Sequence, residues 1–191
     1  VCIEPISSEL GSIGFEKDGT IYWIKGEPEI KTCESGEKFH HWEIDSLTKV
    51  QLQFSTKADE INFEFNLKSK EQSKVTRWFI NINASQGEYF TGIFERVVDG
   101  PQGNSWAEGI ETALNLRGEN VEMKLKPTVS AYAPFYISSN NYGFLVKGTW
   151  PGVFDFCKEH QNIVQIAFEG PNFAFKFYLG FSPMHIVQKH A

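Results

Sequence analysis

The fold class is decided by NYGFLVKGTWPGVFDFC (Asn141–Cys157) and the two stretches that follow, VQIAFEG (Val164–Gly170) and PNFAFKFYLGFSPMHIVQKHA (Pro171–Ala191). Apolar and polar residues alternate along them, so one face of each strand lies in a core and the other in water, which is typical of antiparallel sheets. The last stretch then changes character, because Ser182 suits a helix N-cap and Pro183 suits the first helical position. This part of the sequence therefore predicts a series of strands that ends in a short helix.

The same alternation occurs earlier in the chain, in the segments 50–55, 61–67 and 121–125. Turn-forming residues separate the runs, and Asp18–Gly19 is a strong signal for a two-residue hairpin. About ten or more strands with almost no helix indicate an all-β fold. We predict a two-sheet antiparallel β-sandwich with a short C-terminal helix.

The composition is that of one well-packed domain. The chain has 191 residues, of which 41% are hydrophobic and 17 are Phe, and an all-β sandwich of this length commonly forms a single domain. The formal net charge of −6 argues against a nucleic-acid surface, which needs a basic stripe. No apolar run approaches the length that spans a bilayer. We expect neither a nucleic-acid partner nor a membrane-spanning segment.

The cysteines and histidines form no metal motif in the sequence. Cys2, Cys33 and Cys157 are odd in number and widely spaced, so we favour three free thiols over one bridge, with Cys157 buried. His40 and His41 are adjacent, so on a strand they point to opposite faces and cannot bind one metal ion together. We expect both histidines at the surface or at a sheet edge, and we predict no metal and no cofactor.

One segment, 99–120 (DGPQGNSWAEGIETALNLRGEN), interrupts the strand pattern. Gly100, Pro101 and Gly103 oppose a regular strand at its start, and the part 106–116 has the composition of a short helix. Connections of about 20 residues are uncommon in compact sandwiches and are often functional. A functional loop and a flap that covers an open sheet end are equally compatible with this segment.

A charged cluster, Glu95, Arg96 and Asp99, lies at the start of this segment. A paired-carboxylate hydrolase needs two acids about 5–10 Å apart across a cleft. Glu95 with Asp99, or Asp99 with Glu108, could in principle meet that distance. Nothing in the sequence places them there, so we favour a structural ion pair at the base of the loop.

Six aromatic residues could serve as stacking platforms for sugar rings. Most of them alternate with polar residues, so we favour core positions for them. They are Tyr132, Phe135, Tyr136, Trp150, Phe154 and Phe156.

Three stretches, taken in order, resemble one known domain. They are YFTGIFERVVDG (Tyr89–Gly100), APFYISSNNYGFLVKGTWPGVFDF (Ala133–Phe156) and FAFKFYLGFSPMHIVQKHA (Phe173–Ala191). Their order and spacing resemble the N-terminal β-sandwich of glycoside hydrolase family 31, the α-glucosidase and α-xylosidase family. The third stretch is similar to the family's ending, which leads by a helix into the catalytic barrel.

The resemblance assigns four structural motif residues. Glu95 and Arg96 stand in the Glu-Arg places of the family's first motif, although an Ile-Phe pair stands where a Gly commonly precedes the Glu. Tyr142 and Gly143 stand in its Tyr-Gly-Phe pattern. The resemblance also implies a galactose-mutarotase-like supersandwich over residues 1–181, with residues 182–191 starting a linker helix toward a catalytic barrel.

The resemblance further implies that the catalytic carboxylates belong to the barrel, so we expect no catalytic residue here. In the family the sandwich extends a loop that walls the substrate pocket, and the matching residues are Asp99, Trp106, Arg117 and Glu119. The family's Arg-Asp-Gly string reads Arg-Gly-Glu here. Glu119 is therefore the acid that would replace the missing Asp.

We expect a non-catalytic N-terminal domain of an exported α-glycosidase, inactive by itself. Its partners would be the catalytic barrel of the same protein and, through the parent enzyme, a carbohydrate substrate. A stand-alone carbohydrate-binding module is the first alternative, and it needs an exposed aromatic platform. A mutarotase-type sugar epimerase ranks last, because it needs a Glu and a His on opposite sides of the sugar.

Overall fold

The fold is a sandwich of two antiparallel sheets, as predicted. The computed structural model describes residues 6, 10–33, 37–69, 75–93, 115–124 and 132–191.

Within these ranges the smaller sheet has six strands in the order β2-β1-β7-β13-β12-β9. They are β1 (Ile13–Lys17), β2 (Thr20–Trp23), β7 (Val75–Asn83), β9 (Asn120–Met123), β12 (Gly152–Phe156) and β13 (Ile163–Glu169). The described part of the larger sheet has eight strands in the order β3-β4-β5-β6-β14-β11-β10-β8. They are β3 (Glu29–Thr32), β4 (Lys38–Glu43), β5 (Thr48–Lys57), β6 (Glu60–Ser69), β8 (Phe90–Gly92), β10 (Phe135–Ser138), β11 (Tyr142–Lys147) and β14 (Asn172–Leu179).

The first hairpin forms where Asp18–Gly19 predicts it. Lys17 pairs with Thr20 across the turn, and Asp18 and Gly19 have φ values of 52° and 76°. Both residues therefore have positive φ, which the type I′ turn of a two-residue hairpin requires.

The core lies between the two sheets and is rich in aromatic rings. Phe15 and Trp78 of the smaller sheet are fully buried, and the Trp78 ring lies 6.2 Å from the ring of Phe65 in the larger sheet. Phe175 lies beside Phe65 on the same inner face, with ring centroids 6.1 Å apart. The apolar residues of the alternating runs thus face the core, which confirms the period-two prediction.

His40 is a correction to the sequence analysis. It is buried on β4, with its ring 5.1 Å from that of Phe54 and 6.4 Å from that of Trp42, whereas His41 is half-buried on the other face. The opposite-face prediction is confirmed, but the surface position is wrong for His40. Trp42 shares its face of the strand, and the burial of that large ring takes His40 inward as well.

The tail forms a short helix, α1 (Pro183–His190), as predicted. Ser182 caps it by accepting a hydrogen bond from the His185 N–H at 3.2 Å. Lys189 forms an ion pair with Asp59 in the β5–β6 turn. The role of α1 as a linker helix remains a prediction.

Cys157 is a free thiol and is buried, as expected. Cys2 lies outside the described residues. No helix in the described part of the chain is long and apolar enough to cross a membrane.

Candidate functional site

The predicted pocket loop leaves and rejoins the sandwich at the edge strand β8. On one side, the Ile93 N–H donates to the Phe135 carbonyl at 2.7 Å. On the other, the Leu116 N–H donates to the Phe90 carbonyl at 2.8 Å, and the Asn115 side chain accepts from the Phe90 N–H at 3.4 Å. The residues that flank the segment 94–114 are thus both held next to β8, Ile93 at the end of this strand and Asn115 through Phe90.

Arg117, a predicted pocket residue, is bonded to three backbone carbonyls. Its guanidinium donates to the Ser85 and Glu88 carbonyls at 3.2 and 2.9 Å and to the Gln161 carbonyl at 2.9 Å. The planar guanidinium fork suits this task, because it holds several acceptors in one fixed geometry. Arg117 therefore joins the turn before β8 to the turn before β13, while its contact with a substrate remains a prediction.

Glu119 is the second predicted pocket residue that lies among the described residues, and its side chain is half-buried. Its N–H donates to the Leu116 carbonyl at 2.9 Å, and its carbonyl accepts from the Phe156 N–H at 2.9 Å. Both contacts fix the backbone from which the carboxylate projects. Asp99 and Trp106, with the motif residues Glu95 and Arg96, lie outside the described residues.

A buried carboxylate, Glu88, lies at the base of this loop and was missed by the sequence analysis. It is 3% exposed and accepts from the Ser85 N–H at 2.9 Å and the Ser85 hydroxyl at 3.3 Å. The Ser138 hydroxyl donates to its other oxygen. The Ser-x-x-Glu spacing of Ser85 and Glu88, which is also that of a capping box, is a local signal that could have identified it.

Tyr142, a motif residue, borders this polar cluster from the core side. Its ring makes an edge contact with that of Tyr136, with centroids 6.0 Å apart. Burial raises the pKa of both phenols, so both are neutral at physiological pH. The cluster is a structural support, since its carboxylate already has three donors from the chain.

Gly143, the other motif residue, makes room for α1 on the outer face of the larger sheet. A Cβ at this position would lie 2.6 Å from Cγ2 of Ile186 and 2.9 Å from the Phe135 ring. Ile186 is fully buried, and the His190 ring stacks on Phe135 at 4.0 Å. A residue without a side chain is therefore required where the helix meets the sheet.

The side of α1 that faces away from the sheet carries exposed apolar side chains. Met184 and Val187 are 66% and 42% exposed, and Phe181, just before the helix, is 79% exposed. The Phe181 ring stacks on His185 at 4.0 Å. We call Phe181, Met184 and Val187 the α1 surface.

The aromatic residues considered as sugar platforms lie mostly in the interior. Tyr136, Phe154 and Phe156 are fully buried, and Phe135 and Tyr132 are half-buried. Trp150 is 49% exposed, and the Tyr132 hydroxyl donates to its carbonyl at 2.6 Å. The core assignment is confirmed for the three buried rings, and Trp150 is the clearest exception.

No group of three or more His, Cys, Asp or Glu side chains among the described residues is arranged to hold a metal ion.

Solved enzymes that act on carbohydrates share this fold. A GH31 family sulfoquinovosidase from E. rectale, in complex with an aza-sugar inhibitor, matches 98% of this chain with a TM-score of 0.65 and 13% sequence identity. The fold is that of a domain of glycoside hydrolase family 31. The predicted resemblance is thereby confirmed at the level of the fold.

A second solved structure with this fold is the cycloalternan-forming enzyme from Listeria monocytogenes, in complex with a pentasaccharide substrate. It covers 99% of the chain with a TM-score of 0.51 and 12% identity. The chain spans only 31% and 22% of the lengths of these two enzymes, so it corresponds to one part of each. No protein-family model and no curated protein matches the sequence.

Proposed function

We propose that this chain is the non-catalytic N-terminal domain of a family 31 α-glycosidase. In this proposal it packs on the catalytic barrel through the α1 surface and shapes the substrate pocket through the segment 99–120. The fold and the partial coverage of two larger enzymes support the assignment to one domain of a longer protein.

The exposed α1 surface is the observation that carries the proposal. Successive residues of a helix are about 100° apart, so Val187 and Met184 lie about 100° and 200° around the axis from the buried Ile186. Clustered large apolar side chains in water mark an interaction site on a soluble domain. A neighbouring domain that follows α1 would cover them.

The base of the loop supports the second half of the proposal. The ends of the segment are held at β8 by backbone hydrogen bonds, and Arg117 fixes the turn from which Glu119 projects. A loop that supplies one polar contact to a sugar must be held in this way, because misplacement by about 1 Å costs much of the activity. Glu119 is the residue to which we assign this contact.

The test uses the complete protein encoded by the reading frame that contains residues 1–191. We expect a region of alternating strands and helices in that frame and hydrolysis of aryl α-glycosides by the purified protein. Replacing Met184 and Val187 together by Glu should lower its melting temperature, because two charges would enter an apolar interface. The matched control is Thr149→Glu, which adds a charge to an exposed position away from α1.

The pocket assignment is tested separately in the same protein. Glu119→Gln should raise KM several-fold. The proposed role as a domain of a larger enzyme would be overturned by a reading frame that encodes no region of alternating strands and helices. It would also be overturned if the variant with Glu at both Met184 and Val187 were as stable as the control. An unchanged KM would overturn the pocket contact alone.

A further inference from the structure

We propose that the outer face of the eight-stranded sheet binds a neutral oligosaccharide, with Gln51 at the centre of the binding surface. This surface is formed by β4, β5 and β6, whereas α1 covers part of β10, β11 and β14. The proposal concerns binding by the chain itself and does not depend on the catalytic barrel.

The strand register groups polar side chains on this face. In one row His41 is paired with Gln51 and Gln51 with Asn66; in the next, Gln53 is paired with Glu64. These residues alternate with the core residues of the same strands, so they point away from the core. We call this set the amide face: Phe39, His41, Gln51, Gln53, Asn62, Glu64 and Asn66.

Gln51 shows that the face is more than a solvated sheet surface. It is only 9% exposed although it points outward. Its side-chain oxygen Oε1 is buried and has no hydrogen-bond partner among the described residues. A buried acceptor without a partner is unfavourable, and a hydroxyl group that displaces the side chains covering this oxygen would supply the missing donor.

The chemistry of the amide face favours a neutral, hydroxylated ligand. Amide side chains carry both donors and acceptors, as sugar hydroxyl groups do. Its one carboxylate, Glu64, already accepts from Asn66 at 3.1 Å, and the adjacent Lys176 is paired with Glu60 at 3.0 Å. Of the lysines around His41, Lys31 and Lys49 are paired with Glu29 and Glu43. The described part of the face therefore offers Lys68, and not the basic cluster that a phosphate-rich ligand requires.

His41 adds a neutral ring to this surface. Burial, together with the positive charges of Lys31 and Lys68, lowers the pKa of His41, so the ring is uncharged at pH 7 and can both donate and accept. The half-buried Phe39 in the neighbouring row provides an apolar patch for the C–H face of a sugar ring.

The dimensions suit a short oligosaccharide. Two inter-strand spacings of about 4.8 Å separate β4 from β6, so the rows extend over about 10 Å. A ligand lying along the row from His41 to Asn66 would place a hydroxyl over Gln51.

The test is a titration of the isotope-labelled chain with maltoheptaose and with isomaltoheptaose, followed by the side-chain amide and imidazole signals in NMR spectra. We expect saturable shifts of His41, Gln51 and Asn66 with at least one of the two sugars. Gln51→Met, which keeps the length of the side chain, should weaken binding about tenfold, the effect of one lost hydrogen bond. Gln188→Met on the exposed side of α1 is the matched control and should bind as the unchanged chain does.

Three results would overturn the proposal: no saturable shift with either sugar, shifts centred on Trp150 instead of the amide face, or equal affinity in the Gln51→Met and control variants. Unfolding midpoints are measured for both variants, and the comparison uses a second variant, Gln53→Ala, if Gln51→Met does not fold. None of these results bears on packing through the α1 surface.

Discussion

Gly143 lies directly beneath Ile186, so close that a single methyl group on the glycine would come within 2.6 Å of the Ile186 side chain. This pair joins β11, an interior strand of the larger sheet, to the only helix of the described residues. The backbone of Gly143 is not in a left-handed conformation. Space, and not backbone freedom, is therefore the reason for a glycine here.

Gly143→Ala should destabilise the domain by about 1–3 kcal/mol, the usual cost of forcing an extra methyl group into a packed site. The measurement is urea unfolding at neutral pH. Ile186→Ala should by itself cost about 2–5 kcal/mol, as truncation of a buried side chain does. Combining the two should cost less than their sum, because the methyl group then fills part of the cavity; strict additivity would contradict the contact.

Arg117→Lys should loosen the base of the loop, because the single ammonium nitrogen cannot replace the two guanidinium nitrogens, one of which donates to the Ser85 and Glu88 carbonyls and the other to that of Gln161. We expect a loss of about 1–3 kcal/mol in unfolding free energy and faster amide hydrogen exchange at Leu116.

Arg77→Lys is the control for Arg117. Its guanidinium forms a long ion pair of 4.0 Å with Glu169, and both side chains are about half exposed. Such a surface pair contributes little, so this variant should unfold like the unchanged chain. Equal effects of the two substitutions would show that the carbonyl contacts of Arg117 add nothing.

Glu88→Gln tests the buried carboxylate. The amide retains one acceptor oxygen but presents an NH₂ group to donors that now bond to a carboxylate, so the Ser85 and Ser138 contacts cannot all be kept. Unfolding free energy should fall by about 1–3 kcal/mol, whereas Glu122→Gln at an exposed position of β9 should have little effect. A stabilised Glu88→Gln variant would mean that desolvation of the charge outweighs its hydrogen bonds.

Stability should decrease as the pH falls from 7.5 to 5.5. Burial, with neighbouring positive charges, lowers the pKa of His40, His41 and His190 in the folded chain. Between the unfolded pKa of about 6.5 and the lower pKa values of the folded chain, the unfolded chain binds more protons than the folded chain. The unfolding free energy therefore decreases as the pH falls.

His40→Phe should reduce this pH dependence, since the ring lies among the aromatic side chains of Trp42 and Phe54 and Phe cannot take up a proton. His160→Gln, at an exposed turn position, is the control and should leave the slope unchanged. Urea midpoints at four pH values give the slope for each variant. A steeper slope in His40→Phe would contradict the assignment.

The local sequence pattern was sufficient to predict where the strands lie. It was not sufficient to predict which face of a strand is buried. The alternation in 50–55 and 61–67 predicted β5 and β6 correctly, because one side of each strand is buried. The same alternation places His40 and His41 on opposite faces but leaves open which face is inside. That depends on how Trp42 packs, and therefore on the other sheet.

The burial of polar residues could also not be predicted from the local sequence. Glu88 and Gln51 look like exposed polar residues in the sequence, yet they are 3% and 9% exposed. The partners of Glu88 include Ser138, which is 50 residues away in the chain. Only the pairing order of the strands brings such residues together, and no period in the sequence encodes it.

The close pairing of Phe90 with Leu116 at β8 has a consequence for how such a domain can diversify. Because the flanks of the segment 94–114 meet on one strand, the sandwich closes without regard to what is inserted between them. Doubling the length of such an insertion costs only about 0.6 kcal/mol of closure entropy. Insertions and deletions at this point can therefore change what the domain contacts, while the residues that build the two sheets stay the same.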